Sequence, residues 1–82
     1  MYLDLFKLNQ LPFRQRAQIV AVQATSTEVF RYLAQRGLMP GQQVSVVEAA
    51  PLHGPLTVQV DGAQVALGLL LAELIWVQPI SD

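Results

Sequence analysis

The chain has 82 residues, of which 52% are hydrophobic and 13% charged, and its formal net charge is −1 at pH 7. This length predicts a single domain, residues 1–82, and five scattered Lys and Arg residues provide no basic field for nucleic acid. The absence of cysteine excludes disulfides, thiolate metal sites and cysteine catalysis.

The first predicted element is an N-terminal segment, residues 1–11. Its apolar residues, including Leu3, Leu5 and Phe6, are interleaved with polar ones, a pattern that fits either a helical turn or an edge segment. Pro12 ends the segment. We expect residues 1–11 to form a lid on a barrel made by residues 12–79. No signal peptide or bilayer-spanning run is recognised, so we expect a cytoplasmic protein that is not itself embedded in the membrane.

A strand and a helix are predicted next. The alternation from Arg16 to Ala24 indicates a first long strand, covered largely on both sides. Ser26 or Thr27 then caps a helix. Gly37 supplies the left-handed position that ends the helix. The apolar positions expected on its buried face are Val29, Phe30, Leu33 and Ala34.

The rest of the chain predicts further short strands. Asp61-Gly62 is the strongest hairpin signal, and Pro79 limits pairing of the last strand. A helical turn is expected between Gly68 and Leu74. The fold class is therefore mainly β, a small antiparallel barrel of about five strands with one helix inserted after the first long strand. After the helix, the predicted strands are Gln43–Ala50, Leu56–Val60, Ala63–Leu67 and Ile75–Pro79.

Motifs spread over most of the chain carry a family resemblance. The order and spacing of these motifs, from about Leu11 to Pro79, resemble the FeoA family of ferrous iron transport accessory proteins. The resemblance implies an SH3-like barrel, a domain that also forms the C-terminal module of some iron-dependent repressors. The motifs are Gly37-Leu38-x-Pro40-Gly41-x-x-Val44-x-Val46, then Ala50-Pro51-Leu52-x-Gly54-Pro55-Leu56-x-Val58-x-Val60-x-Gly62-x-x-Val65-Ala66-Leu67, and Leu71-Ala72-x-x-Ile75-x-Val77.

The resemblance implies binding rather than catalysis. Its expected partner is a FeoB-type ferrous iron transporter with a cytosolic G-protein domain, which would make this protein peripheral to the inner membrane. The alternative is a transition-metal-binding or metal-responsive protein. A homo-oligomer is a further expectation.

No enzyme is predicted, because no serine lies in a nucleophile motif and the single histidine has no carboxylate at a telling spacing. No cofactor is expected beyond weak Fe²⁺ or Zn²⁺ binding. His53 with Glu48 or Asp61 supplies suitable ligand types, one imidazole and one carboxylate, but a tight site needs three or four ligands. A metal ion bound between two subunits, with one His53 from each, is an alternative. The competing interpretation of His53 is an exposed turn residue.

The expected partner-binding surface combines the helix, its following turn and a leucine-rich turn. Arg31 and Arg36 are expected to contact an acidic partner surface or the C-terminal carbonyls of their own helix. At least one of the successive leucines should lie near the surface. They form either a docking patch or a surface covered by Leu3, Leu5 and Phe6. The candidate residues are Arg31, Gln35, Arg36, Met39, Leu69, Leu70 and Leu71.

Overall fold

In the computed structural model, which describes residues 4–81, one antiparallel sheet has the strand order β1-β6-β2-β3-β4-β5. A 3₁₀ turn (Leu8–Gln10) follows β1, helix α1 (Thr27–Gln35) follows β2, and helix α2 (Leu69–Ala72) precedes β6. The strands are β1 (Phe6–Lys7), β2 (Ala17–Val22), β3 (Gln43–Ala49), β4 (Leu56–Val60), β5 (Ala63–Leu67) and β6 (Ile75–Pro79).

The predicted fold class is confirmed, with six strands in place of about five. The additional strand is β1, whose Phe6 and Lys7 pair with Val77 and Trp76 of β6. Both sequence alternatives for the N-terminal segment are therefore realised in succession, as an edge strand and then a helical turn. Leu3 lies outside the described residues. The sheet curves around the core but its edge strands, β1 and β5, do not pair with each other.

One hydrophobic core lies inside the curved sheet, and strands β2 to β6 all contribute fully or almost fully buried side chains. Leu8 and Leu11 of the N-terminal segment are buried in this same core. Among the described residues no polar or charged residue is buried. The core is therefore held by apolar burial, which contributes roughly 1.5–3 kcal/mol for each large aliphatic side chain.

Helix α1 begins and ends as its sequence predicts. The Ser26 hydroxyl oxygen accepts a hydrogen bond from the Val29 N–H at 3.2 Å, which satisfies one of the free donors of the first turn. At the other end, Gly37 has a φ of +77°, and the Leu38 N–H donates to the Leu33 carbonyl oxygen at 3.0 Å. The chain therefore reverses after α1 in the manner of a Schellman motif.

Two predicted burial assignments are wrong. Phe30 was expected on the buried face of α1 but is 46% exposed, because α1 packs on the sheet mainly through Leu33 and its neighbours. Strand β2 was expected to be covered on both sides, yet Val20 is 39% exposed while Ile19 is buried. The core covers the face of β2 that carries Ile19, and within residues 4–81 Val20 on the other face stays partly exposed.

The Asp61-Gly62 hairpin is confirmed. Asp61 and Gly62 have φ values of +48° and +80°, as a type I′ turn requires. The turn is two residues long, and Val60 pairs directly with Ala63. The Asp61-Gly62 dipeptide was sufficient to predict the hairpin, because the backbone conformation of the turn sets the register of the two strands.

We predict that Gly37→Ala lowers the free energy of unfolding more than Gly62→Ala. The two glycines have nearly equal φ, +77° and +80°, so an L-residue costs about 1–2 kcal/mol at either position. Only at Gly37 would the added Cβ approach another side chain, Val60 Cγ1 at 3.2 Å. Urea unfolding of both variants measures the difference, and equal losses would contradict the steric contribution.

Candidate functional site

The exposed side of helix α1 carries two of the predicted contact residues, Arg31 and Gln35, which are both exposed. Arg36 lies at the helix end and is half-buried. Its guanidinium carbon is 3.5 Å from the centre of the Tyr32 ring, and its Nη1 donates to the Tyr32 carbonyl oxygen at 3.1 Å. This matches the expected contact of Arg36 with its own helix, and it fixes a cation on the surface of α1.

The turn after α1 places Met39 differently from the helix residues. Met39 is half-buried, and its carbonyl oxygen accepts from the Gln42 N–H at 3.1 Å. The Gly41 N–H then donates to the Ile19 carbonyl oxygen at 2.8 Å, which ties the turn to β2. Met39 therefore offers only part of its side chain to a partner.

Helix α2 exposes one leucine, as its sequence predicts. Leu70 is 80% exposed, whereas Leu69 and Leu71 are half-buried and pack against the core. The expectation that the N-terminal segment covers this turn is wrong for Leu70. Phe6 packs against the core and Leu5 is itself 42% exposed, while Leu3 lies outside the described residues.

The backbone between the helices is held by the β2–β6 pairing. The Gln23 N–H, directly after β2, donates to the carbonyl oxygen of Leu74, directly before β6, at 2.8 Å. This bond continues the ladder in which Val22 pairs with Ile75, so it places the end of β2 beside the start of β6.

Leu52 is an exposed apolar residue that the sequence analysis did not single out. It is 95% exposed at the turn between β3 and β4. Leu52 and His53 have φ values of +59° and +60°, and the Gly54 N–H donates to the Pro51 carbonyl oxygen at 3.1 Å. A leucine is disfavoured in this left-handed conformation, so no local propensity could have predicted it.

The Leu52 turn and helix α2 flank the same end of the β4–β5 hairpin. Leu56, the first residue of β4, pairs with Leu67, the last residue of β5, and α2 begins two residues later. Leu52 and Leu70 are consequently two highly exposed leucines on segments that leave neighbouring strand ends. We call Leu52 and Leu70 the exposed leucine pair.

A polar cleft of about 510 Å³ lies elsewhere, between the start of β3 and the β4–β5 turn. None of the predicted site residues lines it. Its charged residues are Arg16 and Asp61, and its remaining walls are mainly glutamine, serine and glycine. No local sequence pattern predicts this cleft, because its residues come from four separate segments.

The metal ligands suggested by the sequence do not form a complete site. His53 and Glu48 are both exposed, one in the β3–β4 turn and one on β3. Within residues 4–81 no group of three or more His, Cys, Asp or Glu side chains is arranged to hold a metal ion. A tight Zn²⁺ or Fe²⁺ site uses three or more protein ligands. The described residues of a single chain therefore do not form such a site.

The fold and its exposed surface define a small SH3-like β protein. The model of the FeoA domain family matches residues 6–79, which is nearly the whole chain. The chain belongs to the FeoA domain family. No curated protein matches it at a significant level.

Solved structures of FeoA proteins are similar to the whole fold. FeoA of Chlorobium tepidum is 32% identical with a TM-score of 0.83, over 93% of this chain and 71% of that one. An iron uptake regulatory protein, FeoA, is 25% identical with a TM-score of 0.85, over 94% and 100%. FeoA of Stenotrophomonas maltophilia, an SH3 domain protein solved with zinc, is 29% identical with a TM-score of 0.74, over 88% of each chain.

Family membership settles the general function. The FeoA family is associated with ferrous iron transport, and it is a family of accessory transport proteins rather than a known enzyme family. In the part of the chain that the structure describes, no helix is long and apolar enough to cross a membrane.

We predict that Arg36→Ala lowers the free energy of unfolding by about 0.5–1 kcal/mol, because it removes the stacking on Tyr32. Arg31→Ala is the matched control, since Arg31 is an exposed arginine of the same helix that has no such ring contact within residues 4–81. We expect the control to change stability by less than about 0.5 kcal/mol. Chemical denaturation measures both variants, and equal effects would contradict a stabilising role of the stacked pair.

Proposed function

We propose that this protein is a cytoplasmic accessory protein of bacterial ferrous iron uptake that binds the cytosolic G-protein region of a FeoB-type transporter. The observation that carries the proposal is the family match over residues 6–79. The similar Stenotrophomonas maltophilia protein has been described as "possibly acting as a bacterial ferrous iron transport activating factor". Binding to the transporter would hold this protein at the inner membrane.

The proposed docking surface includes α1 and the exposed leucine pair. Arg31 and Gln35 are exposed on α1, and Arg36 is held beside Tyr32. Leu70 supplies an apolar side chain with little contact to the rest of the fold. A surface that combines exposed leucine with fixed arginine suits a partner with an apolar recess and acidic residues, because arginine is enriched at the centre of protein interfaces.

We predict that Leu70→Ser weakens binding to the transporter's G-protein region at least about fivefold while leaving stability within about 0.5 kcal/mol of the wild type. Leu70 is 80% exposed, so its loss removes contact with a partner and little contact within the fold. Phe13→Ser is the matched control, because Phe13 is a 62% exposed apolar residue in the loop before β2 and belongs to neither helix. Isothermal titration calorimetry with the purified region measures both affinities.

An NMR titration of the isotope-labelled protein with the same region maps the contact. We expect contiguous shifts over α1 and α2 in the absence of metal. Equal weakening by Leu70→Ser and Phe13→Ser would contradict the assigned surface. The absence of any shift with the transporter region would overturn the proposed function itself.

Metal binding is the second candidate function, and the zinc in the similar Stenotrophomonas maltophilia structure favours testing it. Here it would rest on His53, the chain's single histidine, alone or shared between two copies. The same labelled sample titrated with Fe²⁺ under anaerobic conditions tests this function. Saturable shifts around His53 that disappear in His53→Ala, without any response to the transporter region, would replace docking by metal binding.

A further inference from the structure

The outer side of β5 is an unpaired strand edge. Strand β5 lies last in the sheet and bonds to β4 on one side only. Within residues 4–81, no backbone hydrogen bond outside the β4 ladder reaches Ala63–Leu67. Open N–H and C=O groups along an edge are a template for another strand.

The hairpin turn determines which backbone groups are open. A two-residue turn is closed by a hydrogen-bonded pair, here Val60 and Ala63. Hydrogen-bonded and non-hydrogen-bonded pairs alternate along an antiparallel ladder, so Gln64 and Ala66 direct their N–H and C=O groups away from β4. Strand β5 thus presents two donors and two acceptors at a spacing of two residues.

The usual protections of an edge are missing from β5. Natural edge strands carry charges, prolines or bulges, or are very short. Strand β5 has five residues, Ala-Gln-Val-Ala-Leu, none of them charged or proline, and its pairing with β4 has no register shift. The opposite edge, β1, has two residues and carries Lys7. Strand β5 is therefore the edge of the sheet that is more open to pairing with another strand.

We propose that β5 pairs antiparallel with β5 of a second copy of this chain, about a two-fold axis through Val65. In this arrangement Gln64 lies opposite Ala66 of the second copy, and Ala66 lies opposite Gln64 of the second copy. The open groups then form four backbone hydrogen bonds across the axis, two at each symmetric pair. Every outward donor and acceptor of Gln64 and Ala66 is satisfied.

Side-chain alternation selects this register. Val65 meets Val65 of the second copy, and Ala63 meets its Leu67, so apolar side chains face apolar ones on the face of β5 that includes buried Leu67. A register shifted by one residue sets open groups against groups already bonded to β4. A shift by two either places Leu67 opposite Asp61 or runs the second strand into α2.

The pairing surface is short, so we expect a weak dimer. Five residues and four hydrogen bonds lie below the size of interfaces that are stable at low concentration. We expect self-association in sedimentation velocity as the concentration is raised from about 10 μM to about 1 mM. This inference is independent of the proposed transporter contact, because it concerns the β5 edge rather than α1 or Leu70.

A cysteine at the axis tests the pairing directly, because the chain contains no other cysteine. In a non-hydrogen-bonded antiparallel pair the Cα atoms are about 4.5 Å apart, within the range of a disulfide. Val65→Cys should therefore form a covalent dimer when oxidised glutathione is added. Ala63→Cys is the control, since the two Ala63 positions lie roughly 13 Å apart along the paired strands and do not meet.

We expect Val65→Cys to cross-link at least about tenfold faster than Ala63→Cys, because only the former places its thiols within disulfide range. Equal rates would overturn the proposal. Circular dichroism of the reduced variants checks that both are folded. A monomeric wild type throughout the concentration series would also overturn it.

A second pair of variants addresses the hydrogen bonds. Ala66→Pro removes an outward N–H without removing a bond to β4, and proline is tolerated at such edge positions. It should abolish self-association, while Ala66→Ser, which keeps the N–H, should retain it. Self-association that persists in folded Ala66→Pro would show that the copies meet elsewhere and would overturn the proposed register.

Discussion

The insertion of β6 between β1 and β2 is the contact on which the rest of the structure depends. Strand β6 forms five register pairs with β2 and two with β1. It thereby joins the two ends of the described chain and contributes Ile75 and Val77 to the core. Because this pairing joins distant parts of the chain, it costs loop-closure entropy. The apolar burial of the completed sheet offsets that cost.

The geometry of the exposed surface follows from this insertion. With β1 held by β6, the 3₁₀ turn that follows β1 places Leu8 in the core and contacts α2. The Gln23–Leu74 hydrogen bond extends the β2–β6 ladder by one step beyond Val22 and Ile75. Helix α2 leads directly into β6, so the position of Leu70 depends on the placement of β6 as well as on the short helix that carries it.

The sequence predicted the features whose cause is local. Gly37 ends α1 and Asp61-Gly62 forms the hairpin because each requires a left-handed backbone that few residues adopt. The exposure of Phe30 and Val20 was not predictable, since each depends on which face of the sheet another segment covers. The exposure of Leu52 was not predicted for the opposite reason: its left-handed conformation contradicts the preference of leucine, and it occurs in the turn that joins the paired strands β3 and β4. The candidate contact residues of α1 could be named from the sequence, but whether a partner uses them depends on a second molecule.

Stacking of Arg36 on Tyr32 has a consequence for the thermodynamics of recognition. A free arginine side chain loses rotamer freedom when a partner immobilises it, at a cost of about 0.5–1.5 kcal/mol. Arg36 has already given up much of that freedom in the unbound protein, since its guanidinium is held by the ring and by the Tyr32 carbonyl oxygen. An ion pair formed with this arginine would therefore carry a smaller entropic penalty than one formed with the neighbouring Arg31.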